Sequence, residues 1–125
     1  MTLVLDAGAF LAVERGDRRV MALLKRELLE GRAPRSHGGV VGQIWRGGAR
    51  QAQLARLLRA TEIEPLDLEL GRRAGELLGR AKERDVIDAA VVLLGADGDQ
   101  VLTSDPRDLT ALAVAAGIHL ELVRV

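Results

Sequence analysis

Short apolar runs alternate with longer amphipathic stretches along this whole chain, a pattern few folds accommodate. It starts at once. Thr2-Leu3-Val4-Leu5 is an apolar run bounded by Asp6-Ala7-Gly8, which predicts a buried strand feeding a helix. Ala9 to Val13 continues as a short apolar helix that stops near Gly16. Asp17 caps a longer helix to about Glu30, with Val20, Leu23, Leu24 and Leu28 on one face and Gly31 past its end. Residues 33–36 (Ala-Pro-Arg-Ser) take the place of a second strand, although Pro34 and Arg35 are poor strand residues. Val40, Val41, Ile44 and Trp45 follow helical spacing up to Gly47-Gly48, and residues 50–60 repeat it through Leu54, Leu57 and Leu58.

The second half keeps the rhythm. Glu62 to Leu66 alternates as a short strand, and Asp67 caps a helix carrying Leu70, Ala74, Leu77, Leu78 and Ala81 on one face. Residues 86–96 are apolar nearly all round, so that helix is buried on several sides. Asp97-Gly98-Asp99 turns into a strand at Gln100 to Thr103. Pro106 opens a helix ended by Gly117, and Ile118 to Val123 closes the chain as a strand holding His119. The expected fold is a single α/β domain over residues 1–125. Its three α/β/α layers surround a mostly parallel sheet of about five strands.

Aromatic content is only 2%, so the core is built from Leu, Val, Ile and Ala, as suits helices stacked on a parallel sheet. The absence of cysteine excludes disulfides, thiolate metal sites and a cysteine nucleophile, and it suits a reducing cytoplasm. No apolar run approaches the roughly 18 residues of a membrane span, and the N-terminus lacks the early positive charge of a signal peptide. The net charge of zero argues against a general nucleic-acid coat protein. The charge is uneven, however. Residues 1–60 hold 11 Lys/Arg against 5 Asp/Glu, and residues 61–125 hold 7 against 13. That split fits a basic surface beside an acidic site, and equally fits solvated helix faces.

In open α/β sheets the functional crevice lies outside the carboxyl ends of the strands. Asp6 directly follows the first strand, and Asp105 lies two residues past Thr103. Asp88 lies in the first turn of the buried helix, which runs antiparallel to the strand after it, so it belongs to the same edge. Carboxylates gathered this way repel, and a hard divalent cation such as Mg²⁺ or Mn²⁺ relieves the repulsion. Such an ion acidifies water and stabilises charge on phosphate oxygens. A simpler reading stands beside this one. Asp85 and Asp88 have the spacing of an N-cap and its N3 partner, Asp105, Pro106 and Asp108 fit N-cap, N1 and N3, and Asp6 can cap the first helix.

The order and spacing of four segments resemble a PIN domain over nearly the whole chain. They are Leu3-Val4-Leu5-Asp6-Ala7-Gly8-Ala9, Val40-Val41-Gly42-Gln43-Ile44-Trp45-Arg46, Asp85-Val86-Ile87-Asp88-Ala89-Ala90 and Val101-Leu102-Thr103-Ser104-Asp105. PIN domains are α/β folds with a parallel sheet, and many are Mg²⁺- or Mn²⁺-dependent ribonucleases. Small bacterial ones are commonly toxins of VapBC toxin–antitoxin pairs. The resemblance implies metal-binding acids at Asp6, Asp88 and Asp105, with support from Thr103, Asp108 and Asp85. It also implies an RNA substrate, a VapB-like antitoxin partner and a homodimer. One position departs from the family: Gln43 stands where a catalytic Glu is usual. A Gln carbonyl can still coordinate a metal, but it brings no charge and is a poor general base. Glu14 could compensate only from a helical turn or more beyond Asp6.

Other residues carry weaker signals. His37 reads as a loop histidine without a specific task. Trp45 could stack on a base, but beside Val41 and Ile44 it reads as core or interface. Arg46, Arg50, Arg56 and Arg59 read mostly as a solvated face, and Gly8 as room for close backbone packing beside the acids. Three functions compete: a toxin-type metal-dependent endoribonuclease, a catalytically weakened PIN-like domain that binds RNA or a partner, and a phospho-accepting receiver. The receiver is ranked last, because Asp6 has no acidic neighbour after the first strand and no Lys follows the late strand.

Overall fold

Parallel strands must be joined by crossovers, and the alternation of elements supplies one between each pair. In the computed structural model, which describes residues 1–125, the strands are β1 (Leu3–Leu5), β2 (Arg35–His37), β3 (Glu62–Glu64), β4 (Gln100–Thr103) and β5 (Glu121–Arg124). The helices are α1 (Ala7–Glu14), α2 (Arg18–Leu29), α3 (Gly38–Ile44), α4 (Ala52–Ala60), α5 (Leu68–Ala81), α6 (Val86–Leu94) and α7 (Pro106–Ala116). A single 3₁₀ turn, Ala49–Gln51, leads into α4.

All five strands are parallel, in the order β3-β2-β1-β4-β5. β1 is central, with Leu3, Val4 and Leu5 beside Gln100, Val101 and Leu102 of β4. From β1 the chain moves outward through β2 to β3, then returns to β4 on the other side. The strand order therefore reverses between β1 and β4, and a crevice opens beyond their carboxyl ends at such a point.

Helices cover both faces. α1 packs with α2, α3 and α4, while α5, α6 and α7 pack on one another. The two central strands are accordingly buried throughout, apart from part of Gln100 at the start of β4, and α6 buries Ala89, Ala90, Val91 and Val92 completely. The only aromatic side chain in the core is Phe10. No helix is long and apolar enough to cross a membrane.

Three expectations need correction. The second strand is Arg35–His37 rather than 33–36, because its polar side chains are bonded rather than packed: Ser36 Oγ donates to the Leu5 carbonyl at 2.7 Å inside the sheet. Trp45 is not part of the core: it is 40% exposed, since α3 ends at Ile44 and the chain turns away there. His119 precedes the last strand, where its backbone N–H donates to Asp97 Oδ1 at 2.8 Å.

Candidate metal centre

Asp6 stands at the end of β1, buried to 8% exposure, with its backbone N–H extending the ladder to the Leu102 carbonyl at 3.1 Å. Its Oδ1 accepts from Ala7 N–H at 2.8 Å, and its Oδ2 accepts from the Thr103 hydroxyl at 2.9 Å. The same Thr103 Oγ1 accepts from Asp105 N–H at 3.1 Å. One buried hydroxyl thus ties the end of β1 to the turn after β4 and fixes Asp6 and Asp105 as neighbours.

Asp105 occupies the N-cap position of α7, yet its side chain makes no capping bond, and its carboxylate is exposed. The capping reading does not account for it. That reading does account for Asp85, whose Oδ1 accepts from Ile87 and Asp88 N–H at 2.9 and 3.1 Å. Asp88, half-buried in the first turn of α6, accepts no hydrogen bond of its own. Burial, then the charges of Asp85, Asp6, Asp108 and Asp105, push its carboxyl up to about 7. The four carboxylates that repel Asp88 are the other acids singled out from the sequence. Asp85, Asp88 and Asp108 also line a common cavity of about 320 Å³ with Lys82 and Arg84.

No three Asp, Glu or His side chains stand close enough to cage an ion by themselves. Mg²⁺ is ordinarily held by one or two carboxylates and keeps several waters, whereas Ca²⁺ takes six to eight oxygens. Separated carboxylates, one of them raised by burial and by neighbouring acids, fit the former kind of ion. Gln43 is exposed on α3 and lines a different cavity, about 410 Å³, with Glu14, Arg46 and Arg50.

Gly8 bears out its expected role. A Cβ there would lie 2.8 Å from Ser104 N, Cβ and Oγ, so the first turn of α1 rests directly on the turn carrying Asp105. Gly8→Ala is expected to cost about 1–3 kcal/mol in urea unfolding through overpacking, and to weaken any metal binding by displacing that turn.

Two residues escaped the sequence reading. Lys82 reaches the acidic cavity from the end of α5, where it holds φ of 56°, the only positive φ outside glycine. His37 is not in a loop; it ends β2, fully buried, with both ring nitrogens bonded. Burial holds its imidazole below the ordinary pKa. The available signal was Gly38-Gly39, two adjacent residues without side chains directly after a ring. Comparison of the chain with protein-family models and with curated proteins gives no match.

Proposed function

We propose that this chain is a PIN-like, Mg²⁺- or Mn²⁺-dependent endoribonuclease of the cytoplasm, acting as the toxin of a VapBC-type toxin–antitoxin pair. The observation that carries the nuclease reading is the Thr103 hydroxyl bridging Asp6 and Asp105 while Asp88, facing the field of both, is pushed up to about 7. A carboxyl whose ionisation is opposed, beside other acids at a strand-order reversal, suits a site that takes a cation.

In this reading Asp6, Asp88 and Asp105 would hold a hydrated ion, partly through its waters, since the three do not form a direct cage. Thr103 orients Asp6, and Asp85 fixes the first turn of α6. Asp108 adds negative charge to the cavity. When bound, the ion supplies positive charge to phosphate oxygens and acidifies water. Asp88 would have to lose its proton to serve as a ligand. Arg46 and Arg50, beside Gln43, offer cations to the RNA backbone.

An apolar groove of about 350 Å³ supports a protein partner. Met21, Leu28 and Leu29 line it, with Lys25 and Arg56 beside them. The antitoxin and a second copy of the chain are the partners that the PIN resemblance suggests.

Gln43 favours a second reading, a catalytically weakened PIN-like domain that binds RNA or a partner protein. A labelled single-stranded RNA incubated with Mn²⁺ separates the two. Under the first reading wild type cuts, chelation stops it, and Gln43→Glu cuts faster by roughly tenfold, equivalent to about 1.4 kcal/mol of transition-state stabilisation. Cleavage by Gln43→Glu alone gives the second reading. Cleavage by neither sinks the nuclease proposal.

A further inference from the structure

β2 is short, polar and buried at its carboxyl end; Ser36 bonds Leu5 within the sheet, while Arg35 and His37 also reach beyond it. Arg35 and His37, two residues apart, project from the same side of the strand. Both reach α6, at opposite ends. Arg35 Nη1 donates to the carbonyl of Leu94, the last residue of α6, at 2.8 Å. The His37 ring meets the carbonyl of Ile87, in the first turn of α6, at 3.0 Å. The direction of that bond is fixed by the other ring nitrogen. Nδ1 accepts from Gly39 N–H at 3.0 Å, so the proton sits on Nε2 and is donated to Ile87.

The ring has no room to move. It is fully buried, and a Cβ on Gly39 would lie 2.8 Å from its Cε1 and 3.1 Å from Ile87 Cδ1. Asp88 directly follows Ile87. A slide of α6 by a single residue moves Asp88 by about 1.5 Å along the helix axis. Asp85 caps α6 but is itself part of the same turn, so it cannot set the helix against the sheet.

We infer that β2 is a two-point clamp on α6, and that His37 is the positioning residue that sets Asp88 at its height relative to Asp6 and Asp105. The consequence for metal rests on the nuclease reading above; the clamp itself does not.

The test uses His37→Asn, His37→Gln and Gly39→Ala. Gln carries an amide N–H₂ at about the reach of Nε2 and keeps the donor to Ile87. Asn keeps only a group near Nδ1 and loses that donor. Gly39→Ala retains every hydrogen-bonding group and presses on both sides of the clamp contact, the ring and Ile87 Cδ1, so it serves if His37→Asn fails to fold. Mn²⁺ titration calorimetry, thermal melting and amide NMR spectra of the metal-free proteins are measured on each.

The expected result is a Mn²⁺ affinity about tenfold weaker in His37→Asn and in Gly39→Ala, the range typical of lost outer-shell support, with His37→Gln close to wild type. Affinities in all three variants equal to wild type overturn the inference. Equal losses in His37→Asn and His37→Gln that track melting temperature also overturn it, since that pattern is a general loss of packing. If wild type takes up no Mn²⁺, the metal reading fails, and the metal-free spectra decide the clamp. Shifts centred on residues 86–89 in His37→Asn, absent in His37→Gln, uphold it, and unchanged spectra overturn it.

Discussion

Asp88→Asn is expected to stabilise the metal-free protein at pH 8 while removing its metal-dependent activity. Asp88 is the acid whose ionisation the fold opposes most, through burial and then through Asp85, Asp6, Asp108 and Asp105. Because the folded state holds that proton up to about 7, against 3.8 ordinarily, it binds more protons than the unfolded chain in between. Stability contributed by this site is therefore full below pH 3.8 and is lost as pH rises toward 7. The whole shift corresponds to roughly 4 kcal/mol. Solvent at the half-buried carboxyl reduces the measurable part to about 1–2 kcal/mol. Urea unfolding at pH 8 should show that gain in the variant, and at pH 4 the difference should nearly vanish. Mn²⁺ affinity should meanwhile fall by at least the ~10–100-fold that a lost outer-shell partner costs. A variant less stable than wild type at pH 8 would mean that Asp88 makes favourable contacts and is not held under strain for a ligand.

The second large effect is the pH dependence of metal binding. An entering cation must displace the Asp88 proton at any pH below about 7, so affinity should climb with pH and level off above that value. Between pH 5.5 and 7.5 the climb is about 25-fold for one group titrating at 7. Calorimetry in two buffers of different ionisation enthalpy should record close to one proton released per ion at pH 6. In Asp88→Asn both the slope and the proton should disappear. A flat profile in wild type would exclude Asp88 from the ligand set.

Much of this architecture was legible in the sequence because it is written in local signals. Asp17, Asp67 and Asp85 read as helix caps and are caps. The glycines after α2 and α7 sit at positive φ where a turn needs it. Pro106 opens α7 as its fixed φ allows. The crevice at the carboxyl edge followed from parallel connectivity alone. What was not legible is non-local. Nothing in Leu3-Val4-Leu5 says that its neighbour is β4, so the Thr103 bridge from Asp6 to Asp105 could not be derived from spacing.

The bounds of β2 lie later than the expected 33–36 for a related reason. Strand propensity measures how well a side chain packs on a half-buried pleat. Arg35, Ser36 and His37 instead spend their polar atoms on Glu64, Leu94, Leu5, Ile87 and Gly39. A strand built from linkers looks like a loop until its partners are known. Asp105 erred in the opposite direction: its Asp-Pro-x-Asp spacing fits a capping motif, yet its side chain caps nothing.

The most direct test of the metal-site claim is Mn²⁺ titration calorimetry on wild type and Asp6→Asn, with labelled RNA added to the same samples. The account predicts that wild type binds the ion, that Asp6→Asn does not, and that RNA is cut only in the wild-type sample with metal. Wild type that binds no Mn²⁺ at millimolar concentration and leaves the RNA intact would contradict it. The acids at the β1–β4 edge would then be helix caps and unused charges, and the chain a binding module.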